Sequence, residues 1–336
     1  MKTALSKKIR ILFIIIILTS GFGLLGCAST YQDENTSEYP RQGARSSQYV
    51  EGPHLIYKND QIIMLNSTEY NGQMVLVTEV LNQSSLDSLQ VYKAGFLPRS
   101  FKVRLQDSIS QPQTHYLPAD SIFAVSDIEG NFNTLVNLLQ QNNVINDQLD
   151  WIFGSGHFVL IGDIFDRGNH VTEMLWFLYH LEDQARESNG FVHAGLSPTI
   201  LQSGYNLEDI NRLAHASLGK AKTGYTETDQ LIQGKAGPFW YRGYFDVNIE
   251  SSGPRATQTD VDSILDHFGG SLVIVGHTHV TQPELRYQGK VCAINVVQPA
   301  DHLVYTPPVQ SFGILIQGSN IFRADENGVR TKLTIE

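Results

Sequence analysis

An α/β domain with helices covering a sheet, preceded by a smaller all-β module, is the fold class this sequence predicts. Three observations carry that expectation. After Ser121, short apolar runs alternate with amphipathic segments of helical period. From Tyr49 to Pro118 the apolar runs are separated by turn residues, and no helical pattern intervenes. Across 336 residues, 41% hydrophobic against 17% charged content supplies a folded core and exceeds the usual span of a single domain.

The first 26 residues stand apart as an export signal: Lys2, Lys7, Lys8 and Arg10 precede the apolar run Ile11 to Leu18, and small residues lead to Gly26. From Ile11 to Leu25 the run covers 15 residues, short of the roughly 20 that cross a bilayer. Leu24-Leu25-Gly26-Cys27 resembles the bacterial lipobox, whose cysteine is acylated and becomes the first mature residue. Residues 27–48, rich in Ser, Thr, Gln, Asn and acids, then read as a flexible tether. The expectation is an exported bacterial lipoprotein held on the membrane through Cys27, with Ala28 favouring the outer membrane, on its periplasmic or surface side. Cys292 is the only other cysteine, so no internal disulfide forms in the mature chain, and it is expected to be a buried strand residue.

Charge narrows the partners. The chain carries 24 basic and 34 acidic residues, and loss of four basic residues with the signal deepens its net charge from −10 to −14. No basic run is available to displace counterions from a nucleic acid. A small phosphate ester needs only local arginine or metal charge and stays compatible.

In the module at 49–118, His54 to Tyr57 and Gln61 to Leu65 flank Lys58-Asn59-Asp60 as a hairpin, and Asn71-Gly72 turns into Gln73 to Leu81. Further strands are expected around Leu89 to Tyr92 and Phe101 to Leu105. The larger domain, 119–336, begins with a strand at Ile122 to Val125 that ends at Ser126-Asp127. A helix follows with Phe132, Leu135, Val136 and Leu139 on one face, then a strand from Phe158 to Ile161 ending at Gly162-Asp163. The next helix, Val171 to about Ser188, buries Val171, Met174, Leu175, Leu178 and Leu181, and Asn189-Gly190 turns into Phe191-Val192-His193. Ser271 to Val275 is another strand, ending at Gly276-His277.

Candidate ligands thus fall at strand C-termini, where open α/β sheets place their sites. Asp127, Asp163, His193, His277 and His279 are the residue types a binuclear metal site needs, with a carboxylate to bridge and imidazoles to complete each shell. Two divalent ions about 3.5 to 4 Å apart can share a hydroxide and aim it at phosphorus.

These strings make the chain similar to the calcineurin-like metallophosphoesterases, in particular the bacterial Shewanella-like branch of the phosphoprotein phosphatase group. The family's D-x-H-G is matched by Asp127-Ile128-Glu129-Gly130, its G-D-x-x-D-R-G by residues 162–168, and its H-G-G-L-S-P by His193 to Pro198. Gly276-His277-Thr278-His279 supplies the final pair, and Phe239-Trp240-Tyr241-Arg242-Gly243 resembles the segment carrying a substrate-facing arginine. The resemblance, covering about Ser121 to Glu336, implies a metallophosphoesterase β-sandwich flanked by helices. It implies that Asp127 and His279 hold one metal, that Asp163 bridges, and that His193 and His277 hold the second. The ions would be Mn, Fe, Zn or Mg. Arg167 and Arg242 would clamp phosphate oxygens, with Asp166 beside Arg167 completing the candidate catalytic set.

Two departures bear on activity. Glu129 stands where the family has its first histidine; one reading makes it a ligand that favours Mn²⁺ or Mg²⁺ over Zn²⁺, the other a residue facing solvent. The family's Gly-Asn-His-Glu or Gly-Asn-His-Asp element, source of a metal-binding Asn and the leaving-group acid, is missing: only 24 residues separate Gly168 from His193, and a helix consumes most of them. Gly168-Asn169-His170 mimics the string but abuts the Arg-Gly turn, which makes His170 a helix N-terminal residue. Two functions suit this set. One is a metal-dependent phosphoesterase acting on phosphorylated small molecules or phosphoproteins, impaired by the lost ligand and acid. The other is an inactive surface lipoprotein of the same fold that binds phosphate or a partner.

Overall fold

The computed structural model describes residues 49–58, 61–81, 89–91, 101–105, 114–116, 119–185, 193–246, 252–300 and 309–335. The signal, Cys27, the tether and the turn at Asn189-Gly190 lie outside them. Among the described residues no helix is long and apolar enough to cross a membrane.

The N-terminal part forms as its alternation dictates. Strands β1 (Tyr49–Lys58), β2 (Gln61–Tyr70) and β3 (Gln73–Leu81) make an antiparallel meander. Asn71 and Gly72 both take positive φ, 52° and 76°, as a two-residue turn matched to strand twist requires. β4 (Leu89–Val91) pairs with β5 (Phe101–Val103).

In the larger part, β6 (Ser121–Ser126), β7 (His157–Ile161), β11 (Phe312–Gln317), β12 (Asn320–Asp325) and β13 (Arg330–Lys332) form a sheet in the order β13-β12-β11-β6-β7. Only the β6–β7 pair is parallel, joined by the right kind of crossover, helix α1 (Phe132–Gln141). β8 (Val273–Val275), β9 (Glu284–Arg286) and β10 (Val291–Ala293) form a second sheet, ordered β8-β10-β9.

Period-two alternation decides which side chains meet. Ile122, Ala124, Val159, Ile161, Ile314 and Ile316 of the first sheet pack against Leu272, Ile274, Cys292 and Ile294, filling the space between the sheets. The intervening Phe123, Val125, Phe158, Leu160 and Leu315 point outward onto α1 and α2 (Val171–Ala185), meeting Leu135, Leu139, Met174 and Phe177. On the far side, Val273, Val275, Val291 and Ala293 carry α3 (Pro198–Ser203), α4 (Leu207–Ser217), α5 (Glu227–Gln233) and α6 (Gln258–Phe268). The result is two stacked sheets with helices on both outer faces.

The helices α3 to α6 were not evident from apolar periodicity, yet each has a polar start. Ser197 caps α3; Asn206 with Asp209, Thr226 with Asp229 and Thr257 with Asp260 form reciprocal capping boxes. Leu175, expected to be buried on α2, is 38% exposed. Its neighbours Trp176 and Tyr179 receive the β1–β3 sheet through Leu55, Met64 and Leu81, and the Trp176 indole N–H donates to the Pro53 carbonyl at 2.8 Å.

Candidate metal centre

The strands deliver their terminal residues to one place. β6 runs into Asp127, β7 into Asp163 and β8 into His277. Cross-links between the turns fix their mutual position. The His277 amide donates to Asp127 Oδ2 at 3.1 Å, the Gly276 amide to the His193 carbonyl at 2.8 Å, and the Glu129 amide to the Asp163 carbonyl at 2.8 Å. Ser126 is wholly buried, and its hydroxyl lies against both Asp127 Oδ2 and the Ile161 carbonyl, 3.0 Å from the latter.

This closeness demands unusual backbone. Asp127, Glu129, Asp163, Arg167 and His277 all have φ between 38° and 66°, a region that costs non-glycine residues on the order of 1–3 kcal/mol each and clusters at functional sites. Gly162 is required for packing as well: a Cβ there would overlap the His193 ring. A Cβ at Gly276 would overlap the Ser126 hydroxyl and lie 2.6 Å from Asp127 Oδ2.

Asp163, His193 and His277 offer one ligand atom each, all within 4.8 Å of one another. His193 Nε2 is 3.0 Å from His277 Nδ1 and 3.4 Å from Asp163 Oδ2. Ligands about 2.0–2.1 Å from a tetrahedral ion stand about 3.3 Å apart, so this spacing fits a divalent cation. His277 Nε2, the ring's other nitrogen, is buried with no hydrogen-bond partner among the described residues.

The same closeness shifts the ionisation of these groups. Burial, reinforced by the positive charges of His193 and Arg242, pushes His277 down to about 3, keeping it neutral. Burial opposes charge on Asp163, but the adjacent His193 outweighs it and holds the carboxyl below its ordinary range. His193 is raised in turn, since Asp163 and Asp127 overcome its own burial. Burial pushes Asp127 up to about 6.

The other predicted site residues lie around this cluster with different partners. Glu129 Oε1 pairs with Arg167 Nη2 at 2.7 Å, and Arg167 Nε also binds Asp166 Oδ2 at 2.8 Å, so the two acids hold one largely exposed guanidinium. Arg242 donates from Nη1 to the His277 carbonyl at 3.0 Å. His279, two residues beyond His277, lines an open cleft of about 530 Å³ with Val280, Gln282, Val297 and Phe312. His170 begins α2, accepting from the Met174 amide at 2.9 Å, and its ring lies 3.8 Å from buried Glu173. Three further contributors escaped the sequence reading. Trp240 sets its ring edge-on to His277 at 5.3 Å. Ser126 supports Asp127. Gln298 bridges towards the Ser126 carbonyl at 3.4 Å while accepting from Ser311 at 2.6 Å. Trp240 and Ser126 sit inside or beside the recognised strings; nothing local marks Gln298.

No family model and no curated protein matches the chain. Solved structures do match. The cold-active protein-tyrosine phosphatase of a psychrophile, Shewanella sp., has a TM-score of 0.67 at 22% identity, over 84% of this chain and 99% of that one. A second structure of a cold-active protein tyrosine phosphatase gives 0.68 at 22% identity, over 86% of this chain and 98% of that one. The chain shares the fold of these phosphatase structures. The mixed α/β architecture expected from the sequence, a β-sandwich flanked by helices, is the one observed.

Proposed function

We propose that this protein is a metal-dependent phosphoesterase of the calcineurin-like superfamily, hydrolysing phosphomonoesters or phosphoproteins as a membrane-anchored bacterial lipoprotein acylated at Cys27, with residues 49–118 as a separate module. The observation that carries the catalytic reading is the convergence of Asp163 after β7, His277 after β8 and His193 in a fold shared with solved phosphatase structures. In this reading Asp163, His193 and His277 would hold one divalent ion, and Asp127 and His279, with Asp163 shared and Glu129 as a further candidate, would hold a second. Two divalent ions supply Lewis acidity toward phosphate oxygens and a nucleophile of lowered pKa.

The remaining work falls to the chain. Arg242, its Nη1 fixed on the His277 carbonyl, presents the rest of its planar fork to phosphate oxygens. Arg167 is oriented by Asp166 and Glu129 for the same role at the rim. The Gly-Asn-His-Glu or Gly-Asn-His-Asp string that would bring an acid for the leaving oxygen is missing from the sequence between Gly168 and His193. Leaving groups that depart as weak bases are therefore favoured. Purified protein given Mn²⁺ is expected to hydrolyse p-nitrophenyl phosphate faster than an alkyl phosphate, by up to about 10²–10⁴, the usual contribution of a positioned acid. Absence of metal-dependent turnover of either ester in a folded sample refutes the proposal.

The missing Asn-His element also favours a second reading, a lipoprotein that binds phosphate groups or a partner without cleaving them. Calorimetry separates the two: tight phosphate or phosphopeptide binding without turnover supports the binder, and turnover removes it.

A further inference from the structure

The β1–β3 sheet has two faces with different surroundings. On one, Leu55, Met64 and Leu81 are packed against α2. On the other, the register sets Ile56, Ile63 and Val80 side by side across all three strands, and Leu65, Leu76 and Met74 continue the strip. Met74, Val80 and Leu76 are 59%, 56% and 53% exposed. A contiguous apolar strip on a solvent face marks an interaction surface.

We propose that this strip is a lipid-facing surface, resting on the bilayer to which Cys27 tethers the chain. The proposal rests on the anchor at Cys27 argued above. Position comes first. Only residues 28–48 separate Cys27 from Tyr49, where β1 begins, and an unstructured chain of that length spans on the order of 25 Å. This sheet is the first described element beyond Cys27. Affinity comes second. A short tether gives an effective concentration in the millimolar range, so a strip of modest apolar area suffices.

The test uses the acylated, full mature chain reconstituted into vesicles of phosphatidylethanolamine and phosphatidylglycerol. A polarity-sensitive dye is attached at Leu76→Cys or, as a second position on the same face, Thr78→Cys. Cys292 is fully buried and stays unlabelled. Val329→Cys, at a site 57% exposed and far along the chain, is the control. The expected result is a blue shift and a several-fold loss of iodide quenching at 76 and 78, with no change at 329. Equal quenching at all three positions, with the acyl group present by intact mass, overturns the lipid-facing surface and leaves the anchor standing. Protection at 76 in vesicle-free protein with twice the monomer mass by light scattering assigns the strip to a second copy and also overturns it. An intact mass without acylation overturns the anchor, and the proposal with it.

Discussion

The two sheets of the sandwich feed one site with different chemistry. Loops from the five-stranded sheet bring the carboxylates, Asp127 and Glu129 after β6 and Asp163 and Asp166 after β7. The loop from the three-stranded sheet brings imidazoles, His277 and His279 after β8, and its backbone carbonyl at His277 holds Arg242. The groups differ in how they are satisfied. On the carboxylate side Asp127 accepts from Ser126 and from the His277 amide, and Glu129 is paired with Arg167. On the imidazole side His277 Nε2 and Thr278 Oγ1 are buried with no partner among the described residues. One half of the site is satisfied by the chain's own groups, and the other has polar atoms that none of the described residues satisfies.

The strongest way to break this comparison is Asp163→Asn, which keeps shape and removes the charge that His193 faces. Groups that merely orient a metal ligand already cost about 10- to 100-fold when lost, so activity with p-nitrophenyl phosphate is expected to fall by more than about 100-fold. Metal content, read by elemental analysis, should fall with it. Full activity in the variant would remove Asp163 from the centre. On the imidazole side, His277→Ala is expected to weaken metal binding by about 10- to 100-fold or more while leaving the melting transition cooperative. A variant that binds metal normally but turns over slowly would instead make His277 a contact to substrate.

Arg242→Lys sharpens the comparison on the substrate side. A lysine keeps the charge and loses the planar fork, so KM for a phosphate ester is expected to rise about tenfold, matching roughly 1.4 kcal/mol, with a smaller change in kcat. Arg167→Lys is expected to change KM less, because Arg167 is largely exposed and already occupied by two acids. Equal effects from the two arginines would contradict the clasp seen between Arg167, Asp166 and Glu129.

Both the sheet and the strand-end ligands were legible because β6 and β7 are long enough for apolar runs to stand out and each is followed at once by an acid. β9, β10 and β13 are three residues each, too short for alternation to register, and their pairing depends on segments elsewhere in the chain. The helices α3 to α6 announced themselves only by their caps, Asn206 three before Asp209 and Thr257 three before Asp260. Within the site, the residue types could be named but not their partners. That Glu129 meets Arg167 goes with the left-handed backbone at both Glu129 and Arg167, which no local pattern encodes.

The smallest expected effects test the two halves directly through two buried hydroxyls. Ser126→Ala removes the donor beside Asp127 and the Ile161 carbonyl and leaves buried acceptors short of a partner. A loss of about 1–3 kcal/mol in unfolding free energy by urea titration is expected. Thr278 differs: its hydroxyl, in a residue 7% exposed, has no partner among the described residues. Thr278→Val therefore exchanges an unsatisfied polar group for an apolar one of similar shape. Stability of the metal-free protein is expected to stay level or rise by up to about 1 kcal/mol. Should Thr278→Val cost as much as Ser126→Ala in the metal-free protein, the imidazole side is as fully bonded as the carboxylate side, and the asymmetry between the two sheets disappears.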